Sequence, residues 1–366
     1  MEYTSELRES LNGHFGWNKA RITCFVKMLL ALIVTQTVNM SKIALLFSSE
    51  AKKLSRYRRM QRFFAWFSID YDMIAGFIFK LFFVSGGKWY LTIDRTNWKW
   101  GDANINILTL AIAFKGIAIP IYWELLDKRG NSDTAERIAL LRKFIASFGK
   151  DCIAGVLADR EFVGEDWFGW LLKEKIIFYI RIKKNMLTTN SKGQPIHAYK
   201  LFYGLSPMSE RVLYGKRNIL GYSLYVSGLK LLDGDFLIIV TNENPGNAIK
   251  TYGLRWEIES LFSCLKGRGF NFEDTHITDQ ERIKKLLALL AIAFCWAHKT
   301  GEWRHEACEP IKVKTHGRPA VSLFRYGLDY LIEAVVNMVV RTDLFENCLS
   351  RIRLPEIKLP MVEHCL

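Results

Sequence analysis

The chain has 366 residues, half of them apolar, and its 51 lysines and arginines outnumber its 37 aspartates and glutamates, giving a formal net charge of +14. This length and apolar content suffice for one large core or two modest ones, so a disordered basic tail is excluded. The excess of positive charge predicts a polyanionic partner.

The apolar runs are too short to predict a membrane span. The longest lie around residues 28–34, 74–83, 105–123 and 286–297, and each is short or interrupted by lysine or polar residues. None offers the roughly 18–20 uncharged apolar residues that a spanning helix needs, so no membrane partner is expected. The initial MEYTSELRES has no cationic stretch leading into an apolar one, which predicts a cytoplasmic protein.

The seven cysteines are dispersed and form no CxxC pair, which is typical of reduced thiols packed as small apolar groups. His298, His305 and Cys308 lie close together in the sequence. A fourth ligand and the usual zinc spacing are both missing, so no zinc site is expected.

Residues 1–85 predict an α-helical DNA-binding region. Apolar residues recur with helical spacing through this segment, with turn-like breaks near residues 39–41 and 48–49. Between two apolar stretches lies a basic cluster suited to a helix laid against DNA phosphates. Its members are Lys52, Lys53, Arg56, Arg58, Arg59 and Arg62. The alternative is a solvated basic face.

Residues 86–184 predict strands and helices of an α/β core. KWYLTIDRTNWKW reads as a strand whose end delivers Asp94, and INILTLAIAF and GIAIPIYWELL read as the next two strands, turning at residues 115–116. Asp133 and Glu136 form a capping box before a helix that runs to residue 148. CIAGVLADREF is then a buried strand ending on Asp159, followed by an amphipathic segment and the strand IIFYIRIKK.

This order of elements predicts a ribonuclease-H-like fold. Three antiparallel strands, a helix, a buried strand, a helix and a strand let adjacent strands bring Asp94 and Asp159 side by side. Each aspartate taken alone could equally serve a turn or a helix cap. A carboxylate at the end of a buried strand is costly unless it is paired or bound to metal. Residues 185–246 are turn-rich and strand-like, which predicts a β-rich insertion.

Residues 247–310 predict the rest of the core, beginning with the helix TYGLRWEIESLFSCLKGRGF. Asn247 is expected to cap this helix and the glycines after Lys266 to end it. At about 100° per residue, four polar side chains share an arc of about 60°, held out of the core beside an apolar stripe. They are Tyr252, Arg255, Glu259 and Lys266. Glu257 lies about 200° from Glu259 and cannot serve the same site. The alternative is a solvated salt bridge between Arg255 and Glu259.

The last part of the chain predicts helices. Residues 281–303 read as one long helix with an apolar centre, and residues 311–366 as a C-terminal helical region.

The spacing of the four polar residues is that of the YREK signature, and here the chain resembles the DDE transposases of the bacterial insertion-sequence-four family. LTIDRTNW and LADREF resemble the first and second aspartate motifs of that family, and the acids appear in the order D, D, E. The resemblance spans residues 88–340 or so. It implies that the insertion stacks an aromatic side chain on a flipped base, a role that would fall here to Tyr222, Tyr225 or Phe236, or be absent.

The predicted chemistry is phosphoryl transfer on DNA with two Mg²⁺ ions, for which Mn²⁺ can substitute. Asp94, Asp159 and Glu259 are the expected catalytic residues and metal ligands, with Asp94 bridging, while Tyr252, Arg255 and Lys266 hold phosphates. The resemblance implies a cut-and-paste transposase, associated with the bacterial nucleoid, that binds terminal inverted repeats and target DNA as a homodimer.

Two other functions fit the residues. One is a ribonuclease-H-like DNA nuclease without strand transfer, whose cut 3′-ends would stay unjoined. The other is a non-catalytic basic DNA-binding protein, in which the three acids could be neutralised without loss of activity.

Overall fold

The computed structural model describes residues 2–47, 49–83, 86–315 and 317–354. The chain divides into two compact units, each described separately. A helical unit comprises Met1–Gly86, Gly267–Thr275 and Lys285–Leu366, and an α/β unit comprises Gly87–Lys266 and His276–Lys284.

Helices and strands alternate in blocks along the chain. The helices are α1 (Glu2–Phe15), α2 (Lys19–Thr35), α3 (Met40–Leu46), α4 (Lys53–Trp66), α5 (Tyr71–Phe82), α6 (Thr134–Phe148), α7 (Glu165–Lys173), α8 (Ala248–Gly253), α9 (Trp256–Leu265), α10 (Gln280–Ala307), α11 (Leu323–Val336) and α12 (Thr342–Ile352). The strands are β1 (Trp89–Trp100), β2 (Ala103–Phe114), β3 (Ile117–Leu125), β4 (Ile153–Ala158), β5 (Phe178–Ile182), β6 (Leu187–Thr189), β7 (Pro195–His197), β8 (Glu210–Ile219), β9 (Tyr222–Lys230) and β10 (Phe236–Thr241).

The helical unit is organised around aromatic side chains of α1, α2, α4 and α5. Phe15 stacks on Trp17, and Phe25, Phe63 and Phe77 contact these rings edge-on or tilted. Such contacts add to the free energy gained by burying the apolar rings. The helical character predicted for the first 85 residues is confirmed over the part that the structure describes, and Ser48 of the predicted break lies outside it.

Two glycines let α10 and α11 approach closely within the helical unit. A Cβ atom on Gly301 would come to 1.9 Å from the Leu323 carbonyl oxygen, and one on Gly327 to 1.9 Å from the Ala297 carbonyl oxygen. Any side chain there would push the helices apart. Within the described ranges, no single helix is long and apolar enough to cross a membrane; only α2 and α3, bent by 103°, reach that length and composition together.

The α/β unit is built on an eight-stranded sheet with the order β3-β2-β1-β4-β5-β10-β9-β8. β1, β2 and β3 pair antiparallel, while β1 with β4 and β4 with β5 pair parallel. The first five strands thus have the ribonuclease-H-like order, as predicted. The predicted hairpin turn is also confirmed, because Lys115 and Gly116 adopt the positive φ angles of 50° and 89° that a tight turn requires. The Asp133–Glu136 capping box begins α6 as expected.

Strands from the predicted β-rich insertion extend the same sheet. β10 pairs antiparallel with β5, and β9 and β8 follow in turn. β6 and β7 form a separate small ribbon. The insertion therefore continues the core sheet at its β5 side.

The helix predicted from residue 247 is interrupted. α8 and α9 are separated by Leu254 and Arg255. The backbone amides of these two residues donate hydrogen bonds to the carbonyl three residues earlier, instead of four as in an α-helix. The side chain of Asn247 makes no capping bond, so that prediction was wrong: a 3₁₀ turn beginning at Pro245 leads directly into α8. α9 ends at Leu265, as the following glycines predict. α8 packs on β5, β9 and β10, whereas α9 packs on β1, β2 and β3.

Candidate active site

Asp94 and Asp159 lie side by side at the centre of the sheet. The parallel ladder between β1 and β4 pairs Ile93 with Ala158, so each aspartate is the next residue along its own strand. Asp94 Oδ1 accepts a hydrogen bond from the Arg95 amide at 2.7 Å, and Asp159 Oδ1 accepts one from the Arg160 amide at 2.7 Å. Asp159 directly follows the end of β4, whereas Asp94 lies in the middle of β1, so the prediction that a strand end delivers Asp94 was wrong. The two carboxylates still have matching local geometry.

Arg255 connects Asp94 to Glu259. Its Nη1 lies 3.1 Å from Asp94 Oδ2, and its Nη2 lies 2.5 Å from Glu259 Oε1. The Arg255 side chain is only 5% exposed, while that of Glu259 is 53% exposed. One buried guanidinium therefore holds the strand carboxylate and the helix carboxylate together.

Tyr252 is buried, with its hydroxyl 3.3 Å from Asp159 Oδ1. Its ring belongs to a core cluster with Leu157 and Tyr179, beneath β4 and β5. Burial raises the pKa of Tyr252, so the phenol remains a neutral donor to the carboxylate. The prediction that the polar face is held out of the core was therefore wrong for Tyr252 and Arg255. Both side chains are buried because the helix is broken before α9 and α8 packs its apolar surface on the sheet.

Burial raises the pKa of Asp94 to about 6, from an ordinary value of 3.8. The Arg95 amide and the Arg255 guanidinium lower that pKa, while the negative charges of Glu161 and Asp159 raise it further. The three carboxylates of Asp94, Asp159 and Glu259 outnumber the two guanidinium groups that pair with them, those of Arg255 and of Arg181, whose Nη1 lies 3.9 Å from Asp159 Oδ1. A cluster of this kind has affinity for added cations.

Lys266, also predicted for the site, lies away from these acids. Lys266 ends α9 with its Nζ 5.3 Å from the centre of the Trp98 ring. Trp98 is four residues beyond Asp94 on β1, or about 13 Å along an extended strand. The basic cluster at residues 52–62 belongs to the helical unit, where Lys52 precedes α4 and the others lie within it.

Glu257 serves the fold. Its Oε1 accepts a hydrogen bond at 3.1 Å from the Gly116 amide in the β2–β3 turn. Burial raises the pKa of this carboxyl. The separation from Glu259 expected from the helical wheel is confirmed, because the two side chains have different partners.

Sequence reasoning missed an ion pair that ties the two aspartate segments together. Arg95, directly after Asp94, binds Glu161 through Nε at 3.0 Å and Nη2 at 3.1 Å. Its Nη1 donates to Asn106 at 2.8 Å. Glu161 stands two residues after Asp159, where the chain has left the ladder for a 3₁₀ turn. The adjacency of the two segments was predicted from the order of elements, but the pairing of the residues that follow each aspartate was not.

A ribonuclease-H-like sheet that carries aspartates on two neighbouring strands beside a helix glutamate is typical of enzymes that transfer phosphoryl groups on nucleic acids. The chain belongs to the transposase DDE domain family, whose sequence profile matches residues 85–296, more than half of its length. It is therefore a transposase of the DDE type.

Comparison with solved structures gives a match to a cryo-EM structure of the piggyBac transposase synaptic complex with hairpin DNA. The two chains are 11% identical, with a TM-score of 0.47, and the match covers 98% of this chain and 84% of the other. No curated protein matches the chain in sequence.

Proposed function

We propose that this chain is a cut-and-paste DNA transposase of the bacterial insertion-sequence-four family, carrying the YREK signature at Tyr252, Arg255, Glu259 and Lys266. It would act in the bacterial cytoplasm, at the nucleoid, as a homodimer that binds terminal inverted repeats, cleaves at them and joins the freed 3′-ends to target DNA. Its chain would comprise five regions, at residues 1–85, 86–184, 185–246, 247–310 and 311–366.

The observation that carries this proposal is the connection of three acids from distant parts of the sequence. Asp94 on β1 adjoins Asp159 at the end of the parallel strand β4, and Arg255 joins Asp94 to Glu259. A solvated helix salt bridge would leave Arg255 exposed; here the guanidinium is buried between two carboxylates.

The carboxylates of the three acids are suitable ligands for a divalent metal ion. Mg²⁺ prefers carboxylate oxygens together with water and substrate oxygens, and two of these carboxylates, those of Asp94 and Glu259, already pair with one positive charge, that of Arg255. Among the residues that the structure describes, no set of three ligating side chains is already arranged around a metal position. Asp94, Asp159 and Glu259 would hold two Mg²⁺ ions, which supply activation of the attacking hydroxyl and neutralisation of phosphate charge.

The protein groups around the acids would position them and the DNA. The Tyr252 hydroxyl orients Asp159 by its hydrogen bond. Arg255, buried between Asp94 and Glu259, would position these two acids, and Lys266 would bind a phosphate further along the strand. A direct contact of Arg255 with phosphates beside the scissile bond stays a prediction. A direct contact of Tyr252 with DNA stays a prediction.

Incubation of the purified protein with a labelled duplex carrying the element's own ends, with Mg²⁺ or EDTA, tests the proposal. We expect cleaved ends that become joined to a second, unlabelled duplex only when Mg²⁺ is present. Cleavage without joining would show a nuclease instead. Specific binding without any cleavage would leave only a DNA-binding protein.

The structure sorts the basic cluster of the helical unit into two groups. Arg56 Nε donates to the Ala51 carbonyl at 2.7 Å, and Arg59 Nη2 to the Ala20 carbonyl at 3.4 Å. These two side chains stabilise the helical unit. Lys52, Lys53, Arg58 and Arg62 are exposed, and their side chains make no hydrogen bond or ion pair with any other residue of the described ranges, so these four cations are free to bind phosphates.

Replacing Arg58 and Arg62 by glutamine is expected to weaken DNA binding and to flatten its salt dependence. Each lost phosphate contact should reduce the slope of log K against log salt by about one. Arg56→Gln is the matched control and should keep the slope while lowering the free energy of unfolding by about 1 kcal/mol. Fluorescence anisotropy over a salt series measures the slopes; an equal loss in both variants would contradict the assignment.

Glu161→Gln is expected to weaken metal binding by about 10–100-fold, because the Arg95–Glu161 pair fixes the segments that carry Asp94 and Asp159. Glu165→Gln, an exposed carboxylate at the start of α7, serves as the control. Calorimetric titration with Mn²⁺ in the absence of DNA gives both affinities. Equal affinities in the two variants would restrict the pair to a purely structural role.

A further inference from the structure

A pocket of about 510 Å³, lined by charged and amide side chains together with Val163 and Met186, lies beside the turn that follows Asp159 in the α/β unit. Arg160 and Glu161, from the turn after Asp159, form one wall, and Lys183 and Asn185, from the segment after β5, form another. Asn131, before α6, also lines it. None of these residues belongs to the site predicted from the sequence.

The pocket has an excess of positive charge. Arg160 and Lys183 are exposed, and neither side chain has a hydrogen bond or ion pair to another residue in the described part of the chain. The one acid, Glu161, is neutralised by both nitrogens of its Arg95 partner, at 3.0 and 3.1 Å. Two unpaired cations beside two amide side chains suit a phosphate group, which accepts several hydrogen bonds and carries negative charge.

The position of the pocket relates it to the reaction. Arg160 directly follows Asp159, and Asn131 accepts a hydrogen bond at 3.1 Å from Arg95, which directly follows Asp94. A DNA strand with its scissile phosphate at the acids carries further phosphates on either side, at one per 3.4 Å of helix rise. Without cations beside the acids, their negative charge would repel those phosphates.

We propose that Arg160 and Lys183, with Asn131 and Asn185, bind a backbone phosphate of the DNA strand adjacent to the phosphate that is cut. This inference rests on the proposed function for the location of the cut. The binding itself requires no cleavage. The pocket would hold the strand in place while the acids act on the neighbouring phosphate.

The test compares Arg160→Gln/Lys183→Gln with Lys184→Gln. Lys184 is the matched control because it is adjacent and exposed, but its Nζ pairs with Asp235 at 2.9 Å. Anisotropy with a labelled duplex in EDTA, over a salt series, should give a slope smaller by about one for the double variant and an unchanged slope for the control. Melting curves check that both variants fold.

Neutral methylphosphonate groups placed singly along the duplex identify the phosphate. We expect one position at which the neutral group weakens binding by the wild type several-fold but has no effect in the double variant. A penalty that persists in the double variant at every position, or a slope equal to that of the wild type, overturns the proposal. Competition by inorganic phosphate at submillimolar concentration and constant ionic strength would also overturn it, because the pocket would then serve a free phosphate.

The outcome is separable from that of cleavage. If the protein never cuts DNA but binding weakens at one methylphosphonate position, the phosphate pocket is supported and the transposition mechanism is not. If the protein cuts DNA but the double variant binds the duplex as the wild type does, the transposition mechanism is supported and the phosphate pocket is not.

Discussion

Glu259→Gln is expected to abolish DNA cleavage, with a loss of at least about 10³-fold. A glutamine amide cannot supply the negative charge that a divalent metal requires, and metal catalysis of phosphoryl transfer contributes several kcal/mol, where each 1.36 kcal/mol is tenfold in rate. The fold should survive the change, because the Glu259 side chain is 53% exposed and Arg255 retains its partner Asp94.

Glu257→Gln is the matched control for this prediction. It makes the same chemical change two residues away on the same helix, at a carboxyl whose partner is the Gly116 amide in the β2–β3 turn. Burial already favours the neutral form of that carboxyl, so a neutral amide should be tolerated and cleavage kept within a few-fold of the wild type.

Single-turnover cleavage of labelled duplex, with melting curves of both proteins, decides between the two carboxylates. Retained cleavage in Glu259→Gln, or an equal loss in both variants with normal folding, would remove Glu259 from the site. DNA binding should be similar in all three proteins, so affinity measured in EDTA separates a loss of chemistry from a loss of substrate.

Features with short-range causes could be predicted from the sequence. The β1–β3 hairpins follow from alternating apolar residues and the turn at Lys115–Gly116, and the start of α6 follows from its capping box. The opposed positions of Glu257 and Glu259 follow from helical geometry alone. The adjacency of Asp94 and Asp159 needed one further step, the assumption that their strands are parallel neighbours, which the register bears out.

Features set by long-range packing could not be predicted. The break at residues 254–255 divides one predicted helix between two sets of strands, because α8 packs on β5, β9 and β10 and α9 packs on β1, β2 and β3. The Arg95–Glu161 pair and the pocket at Arg160 and Lys183 depend on which strand edges meet. No spacing within either segment encodes that information.

Asp94→Asn is expected to stabilise the metal-free protein at neutral pH while it removes cleavage. Because burial raises the pKa of Asp94 from 3.8 to about 6, folding must ionise a group in an environment that disfavours its charge. A shift of about two units corresponds to about 3 kcal/mol in the free energy of unfolding at pH 7 and above. Arg255 would keep Glu259 as its partner, so asparagine leaves no unpaired buried charge.

The pH dependence has a definite sign. Below pH 4 the Asp94 carboxyl is protonated in the folded and unfolded states alike, so the variant and the wild type should be equally stable. Between about pH 4 and 6 the unfolded state releases the proton and the folded state keeps it, so the wild type loses stability relative to the variant as pH rises. Above about pH 6 the difference stays constant.

Asp133→Asn provides a control of opposite sign. The Glu136 amide and the Lys128 ammonium lower the pKa of Asp133, so its charge stabilises the fold above its ordinary pKa, and the variant should be the less stable protein at neutral pH. Chemical denaturation in EDTA from pH 3.5 to 8 measures both differences. An Asp94→Asn protein no more stable than the wild type at pH 7 would mean that Arg255 fully compensates the buried charge. In that case the charge of Asp94 would not destabilise the metal-free protein, and a bound cation would have no destabilisation to relieve. The predicted gain in stability would instead show that the charged acid lowers folding stability and favours cation binding.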